Sequence, residues 1–326
     1  LMANITVVIP AFNAANTIEA CLDSVLSQIR PADEIIVVDD GSADETSQLV
    51  SAYGEQVKLI NQDNQGSAKA RQAGSEAASG DYIAYLDADD WWLEHHLREV
   101  ERALESATVH FLFTDLRRAW PKAPEDYLDR NSSFFPWFQE GFIPQATAVA
   151  GVEKLYEFTQ RQSLEFLLKG FPIYPSTAVV SKEALQAVGE WDSRFRRCQD
   201  FDFSLRIARR FGMHYFDDVH TILGLHDVNS NVDGYVTMQT LGDIKVLETH
   251  LLENKNDPEY SIAVKRALSS KLYNLGRRYM AQEDYDNAVT TFVNSVYFPG
   301  KRIKASIQSV VSTCHAVKNR CVALTQ

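Results

Sequence analysis

A chain of 326 residues with 45% hydrophobic content can bury a substantial core, and its length suits one large domain with an appendage, or two domains. Its 44 acidic against 32 basic residues give a formal charge of −12, which argues against nonspecific nucleic-acid binding. There is no apolar run of about eighteen residues and no charged, cleavable leader pattern, so the expectation is a cytoplasmic protein without membrane spans. Cys21, Cys198, Cys314 and Cys321 are scattered with no C-x-x-C spacing, and reduced thiols are expected.

In chain order, Ile5-Thr6-Val7-Val8-Ile9-Pro10 reads as a strand that breaks at Pro10 into the loop Ala11-Phe12-Asn13. A helix follows, with Asn16 as N-cap, Glu19 three residues later, and Ile18, Cys21, Leu22, Val25, Leu26 and Ile29 at helical spacing. The apolar run Ile35-Ile36-Val37-Val38 ends in Asp39-Asp40-Gly41-Ser42, and further strands are predicted at Val57–Ile60, Tyr82–Leu86 and Val109–Thr114. Helices near Asp44–Tyr53, Ser67–Ser79 and Glu94–Ser106 separate them. These βα repeats predict an α/β fold with a mainly parallel central sheet covered on both faces. Between Asp115 and Ala150 the pattern lapses into a Pro-punctuated stretch carrying Trp120, Tyr127, Phe134, Phe135, Trp137 and Phe138. That stretch is a substrate loop, a mobile lid, or a cover for the domain's own core. After Asn231 the alternation ends, so the boundaries read as 1–231 for a catalytic domain and 232–326 for an α-helical C-terminal extension. Leu275-Gly276, Tyr279, Tyr285, Ala288 and Phe292 outline one helical hairpin that turns at Gln282-Glu283-Asp284.

Leu86-Asp87-Ala88-Asp89-Asp90 carries the chemistry. A strand ending in closely spaced carboxylates offers a hard divalent cation its preferred oxygen ligands, at the sheet edge where open α/β folds bind ligands. Such a place suits a metal–diphosphate.

The stretches Val8-Ile9-Pro10-Ala11-Phe12-Asn13, Val38-Asp39-Asp40-Gly41-Ser42, Asn64-Gln65-Gly66 with Ala70-Arg71, and Leu86 to Asp90 jointly resemble the family-2 glycosyltransferases. Those enzymes have the GT-A nucleotide-sugar-binding fold. The resemblance continues through Val188-Gly189-Glu190-Trp191-Asp192 and Gln199-Asp200-Phe201-Asp202, and covers about residues 4 to 230. It implies an inverting transferase that moves a single sugar from a nucleotide-sugar, a UDP-sugar by expectation, to a hydroxyl acceptor in surface polysaccharide or glycoconjugate synthesis. The Q-x-x-R-W signature of processive synthases is absent.

Carried over residue by residue, the resemblance makes Asp89 the metal ligand for Mn2+ or Mg2+. Asp87, next to Ala88, contacts ribose or sugar hydroxyls or reaches the metal through water. Asp40 accepts a hydrogen bond from the base, Ala11 and Phe12 form the base-pocket wall, Pro10 and Ala88 count among the nucleotide-sugar-binding residues, and Arg71, with Lys69 as a lesser candidate, neutralises nucleotide charge. Asp200 is the general base and Asp202 its fallback; both also suit a helix start. Gln199 stands where the family usually has Glu. His226, after the strand-like Val219–Leu223, resembles a late histidine on the metal or diphosphate, with an ordinary surface histidine as the competing reading. Trp91 and Trp92 pack on a sugar face or in the core.

Two rival classes are a sugar nucleotidyltransferase, which would need a Gly-rich basic loop where Pro10-Ala11-Phe12-Asn13 stands, and a noncatalytic binding module. The partners expected are the nucleotide-sugar donor and a saccharide or lipid-linked acceptor. In the tail, Ile303, Ile307, Val310, Val311, Cys314 and Val317 repeat at helical spacing beside Lys301, Arg302, Lys304, Lys318 and Arg320, with no acidic residue after Pro299. This basic helix either packs on its neighbour or makes a peripheral contact with the inner face of the cell membrane.

Overall fold

A computed structural model of the chain describes residues 3–119, 128–225 and 232–299, together with 305, 306, 308, 309, 311–313 and 315. The backbone divides into two compact units, Leu1–Asp227 and Val228–Gln326.

The first unit is built on one sheet of β1 (Ile5–Ala11), β2 (Glu34–Asp39), β3 (Lys58–Asn61), β4 (Tyr82–Tyr85), β5 (Trp91–Trp92), β6 (Phe111–Ala119), β7 (Thr147–Ala148), β8 (Leu155–Phe158), β9 (Ala178–Ser181) and β10 (Met213–Gly224). The order is β3-β2-β1-β4-β9-β6-β10-β8-β7, with β5 paired to β10. β3, β2, β1 and β4 are parallel, as are β6 and β10. β9 runs antiparallel between β4 and β6. The helices of this unit are α1 (Ile18–Leu26), α2 (Thr46–Ser51), α3 (Ser67–Ala77), α4 (His96–Ser106), α5 (Pro136–Gly141), α6 (Gln160–Lys169), α7 (Lys182–Val188) and α8 (Gln199–Arg210). The α/β class read from the sequence is the class observed.

Every residue of β1 is buried, as an unbroken apolar run requires when both sheet faces are covered. From β1 the chain crosses to β2 on one side, while β4 pairs on the other. A crevice therefore opens at the carboxyl ends of β1 and β4, where Ala11 and Leu86 lead into loops. Helix α3 approaches β1 closely because residue 74 is glycine: a Cβ there would stand 2.4 Å from Val8 Cγ1.

Several boundaries differ from the sequence expectation. α1 buries the stripe Ile18, Cys21, Leu22 and Val25, but it starts after Thr17, not at Asn16, and neither the N-cap side chain nor a capping box closes it. The preceding loop is held instead by Ala14 N–H donating to Thr46 Oγ1 at 2.8 Å, and Asn16 faces the crevice. The helix ends at Leu26, leaving Ile29 half exposed. β6 runs on to Ala119, into the stretch that read as irregular, because Leu116–Ala119 pairs with Thr221–Gly224 of β10. Beyond it, Phe138 is fully buried, stacks on Phe171 at 3.9 Å and meets Phe158, Phe166 and Tyr215, so this ring belongs to the core. Trp120 and Tyr127 lie outside the described residues.

The second unit contains α9 (Val232–Glu253), α10 (Pro258–Ala281) and α11 (Tyr285–Val296). α10 and α11 form a hairpin through Gln282-Glu283-Asp284, and Asp284 accepts the Asn287 N–H as N-cap. Gly276 lets Phe292 pack against α10, since a Cβ would sit 2.7 Å from its ring. No described helix is long and apolar enough to cross a membrane. Lys301, Arg302, Lys304, Lys318 and Arg320, which carry the expected membrane contact, lie outside the described residues.

Candidate donor-binding site

A cleft of ≈ 410 Å³ opens at the crevice between β1 and β4. Its lining includes Pro10, Ala11, Phe12, Asp40, Arg71, Asp87, Ala88 and Asp89, eight residues singled out from sequence and brought together here by three strand ends and the first turns of α3. Phe12 is half exposed on the rim, a ring available for stacking.

Asp40 is buried and organises the neighbouring loop. Its Oδ1 accepts from Gln62 Nε2 at 2.6 Å and the Gln65 N–H at 2.9 Å, and its Oδ2 accepts the Gly66 N–H at 2.7 Å. Gly66 precedes α3 at φ 90, a left-handed conformation that a side chain would strain. A carboxylate has about four acceptor positions, and these three bonds leave one of them. Asp39 shapes the turn by accepting the Ser42 N–H at 2.9 Å and the Ser47 hydroxyl.

Asp87 and Asp89 follow β4. Asp90 beside them is buried and is a brace: its Oδ2 accepts from Ser176 Oγ at 2.5 Å and its Oδ1 from the Gly224 N–H at 2.9 Å, while Ser176 Oγ accepts the Asp87 N–H at 3.0 Å. Burial, then Asp89 and Asp87, push the Asp90 carboxyl well above the usual range. Below the turn, the buried Cys21 thiol donates to the Asp87 carbonyl at 3.6 Å, and burial with the three aspartates pushes it up, so it stays protonated.

Arg71 is the link across the cleft. It is buried, its Nη2 meets Asp87 Oδ1 at 2.5 Å, and its Nη1 donates to Gln199 Oε1 at 3.2 Å. Its guanidinium lies over the Trp191 ring at 4.9 Å, and that ring stacks on Phe203. Gln199 is fully engaged: Oε1 also accepts from Ser67 Oγ at 3.2 Å and Nε2 donates to the Phe195 carbonyl at 2.8 Å. Asp200 stands next in the first turn of α8, where its Oδ1 accepts the Phe201 N–H at 2.9 Å; it is adjacent to this link but outside the cleft lining.

Other expectations fare differently. Asp202 is buried and paired with Arg206 at 2.9 Å, which ties α8 to the carbonyls of Val188, Gly189 and Glu190; that is a structural role. Lys69 turns to Gln72 Oε1 at 2.9 Å, away from the lining. Trp92 is buried, donates to the Ser176 carbonyl at 2.8 Å and lies on His96, so it packs in the core and not on a sugar. His226 lies outside the described residues. Sequence reasoning missed Ser67, Asn16 and Thr17 on the lining, although each flanks a matched stretch, and it missed Ser176, which carries no local signal at all.

A hard cation bound together with a diphosphate needs only one or two protein carboxylates, the phosphate oxygens supplying the rest. Asp89 and Asp87 on one wall of the cleft fit that donor set.

Residues 6–188 match the family model described as Glycosyl transferase family 2. The chain belongs to this family. Among family relatives, an uncharacterized glycosyltransferase from Nostoc sp. (strain PCC 7120) is 38% identical over 109 residues, which is 32% of this chain and 34% of the relative. The UDP-Glc:alpha-D-GlcNAc-diphosphoundecaprenol beta-1,3-glucosyltransferase WfaP of Escherichia coli is 32% identical over 35% of this chain and 46% of its own length. The aligned stretch thus spans a third to a half of these relatives. Two solved structures share the fold. S. aureus TarS 1-349 in complex with UDP-GlcNAc has TM-score 0.62 at 14% identity, over 95% of this chain and 89% of that one. The mannosyltransferase PcManGT from Pyrobaculum calidifontis in complex with GDP-Man and Mn2+ has TM-score 0.62 at 16% identity, over 99% and 81%. The fold is that of these GT-A glycosyltransferases.

Proposed function

We propose that the chain is an inverting glycosyltransferase that moves a single sugar from a UDP-sugar to a hydroxyl of a saccharide or lipid-linked acceptor. The observation that carries this reading is the convergence of Asp40, Asp87 and Asp89 on one cleft that the buried Arg71 also lines. Phe12 stacks on the base and Asp40 accepts its N–H, which favours uracil through N3–H. Arg71 holds Asp87 in position and sets a buried positive charge beside the diphosphate. A divalent cation, Mn2+ or Mg2+, held by Asp89 with Asp87 and, in this reading, His226, would offset the charge that grows on the departing diphosphate. Asp200 takes the acceptor hydroxyl proton on its carboxylate as that oxygen attacks the anomeric carbon. Inversion follows from a single displacement with the base opposite the leaving group. A lipid-linked acceptor agrees with the substrate in the name of WfaP, and the basic tail would bring the enzyme to the inner membrane face.

A thermal-shift screen of nucleotide sugars with and without Mn2+ tests the reading, because a ligand that binds only the folded state raises its melting temperature. UDP-sugars with Mn2+ are expected to give the largest shift in the wild type and little in Asp89→Asn. A preference for guanosine or adenosine sugars would overturn the donor assignment; no shift with any sugar would favour a noncatalytic module.

A further inference from the structure

Away from the donor cleft, three metal-ligating side chains from two segments meet. His95, at the N-cap of α4, Asp218 and His220, both on β10, each bring a ligand atom within 4.8 Å of the other two. The Leu93 N–H donates to the His220 carbonyl at 2.9 Å, which pins the turn carrying His95 against β10. β10 loses its register with β6 twice between Phe216 and Thr221, and such irregularities re-aim side chains. Here they fall at Asp218 and His220.

From this geometry we infer a second cation site, for a borderline divalent metal of the Zn2+ kind, held by His95, Asp218 and His220. Two imidazoles and one carboxylate suit Zn2+ far better than the hard Mg2+, and three protein ligands leave a fourth position for water. At metal–ligand lengths of about 2.0–2.2 Å, tetrahedral ligands stand roughly 3.4 Å apart, so atoms already within 4.8 Å have little distance left to close.

His96 supplies the outer contact that a metal-bound histidine requires. It is fully buried, and its Nδ1 lies 3.4 Å from His220 Nδ1. A metal on His220 Nε2 fixes the proton on His220 Nδ1, which then donates to His96. Lys154 lies 3.4 Å from Asp218, but both side chains are about half exposed, and such a pair is weak enough for a cation to displace. The metal would clamp β10 to the turn between β5 and α4, four residues before the Gly224 N–H that Asp90 accepts. It is a brace behind the acidic turn and shares no ligand with Asp89.

The full chain, stripped with chelator and free of nucleotide, is titrated with Zn2+ and with Co2+ as a spectroscopic probe, and its melting temperature is followed. One tight equivalent is expected, with the visible bands of tetrahedral Co2+ and a Zn2+-dependent rise in melting temperature. His95→Ala and Asp218→Asn, both at partly exposed positions, should each weaken binding by at least about tenfold, while Asp89→Asn binds as the wild type does. Melting in chelator checks that the variants are folded, with His95→Gln as the substitute if His95→Ala is not. Wild-type affinity in both His95→Ala and Asp218→Asn, no uptake at submillimolar Zn2+, or loss of the site in Asp89→Asn would each overturn the inference.

Discussion

Gln199 commits both ends of its amide, accepting from Arg71 and Ser67 and donating to the Phe195 carbonyl, so the residue before the proposed base is fixed on three sides. Asp200 inherits that position. Asp200→Asn is therefore expected to lower kcat by about 10²–10⁴ while leaving UDP affinity unchanged, as isothermal titration beside steady-state kinetics would read. An equal loss of UDP affinity would move Asp200 into the donor site. Gln199→Leu leaves the Phe195 carbonyl and the Arg71 guanidinium each short of a partner, and should cost about 1–3 kcal/mol of stability in denaturant unfolding. Glu190 gives a pH signature. Its Oε2 is buried without a hydrogen-bond partner, and burial, with Glu76 nearby, pushes its carboxyl up to about 7. The unfolded chain releases that proton near 4.3 and the folded chain only near 7, so this group's contribution to stability falls as pH rises through that window. Because Glu190 is partly exposed, solvent screening reduces the effect to on the order of 1 kcal/mol. Glu190→Gln should melt higher than the wild type at pH 8 and close to it at pH 5. Equal melting temperatures at both would show that Glu190 does not titrate late.

At the scale of elements, the contact between α3 and β1 sets where Arg71 sits, since Gly74 lies one turn further along the same helix face and touches Val8. Gly74→Val should push α3 off the sheet, cost about 1–3 kcal/mol through overpacking, and weaken nucleotide binding by moving Arg71 from Asp87. Unchanged UDP affinity in a destabilised variant would uncouple the two. The parallel half of the sheet was legible because each βα unit is local: an apolar run, a turn and a helical stripe stand within a few dozen residues. So were Asp40, Asp87 and Asp89, which sit just past the ends of those runs, and Arg71, which lies in the helix that follows one of them. β9 and the continuation of β6 were not, because their partners lie far away in sequence and nothing local announces the antiparallel insertion of β9 or the parallel pairing of Leu116–Ala119 with β10. The same reason hid Ser176, whose hydroxyl joins Asp87 to Asp90 from a turn about 90 residues downstream. Asn16 misled as a cap because its surroundings serve the cleft instead of the helix.

For the whole molecule, all the described cleft residues and an extensive apolar core belong to the unit Leu1–Asp227. A chain ending at residue 227 is expected to bind UDP-sugar within about threefold of the full chain, a difference under roughly 1 kcal/mol. A larger loss, measured by titration of both forms, would assign the helical unit a part in donor binding. The placing of β9 also carries a meaning in time. It sits at the middle of the sheet, yet it is made after β6, β7 and β8, roughly a hundred residues later than β4, which amounts to about 5–20 s at synthesis rates of about 5–20 residues per second. During that interval β4 presents a bare edge to the surroundings, a template for pairing with the wrong chain. Nascent chains halted before Ala178 should accordingly be chaperone-bound and protease-sensitive, whereas those carried past β10 should not, so the biosynthetic risk of this fold is concentrated in the single interval between its two half-sheets.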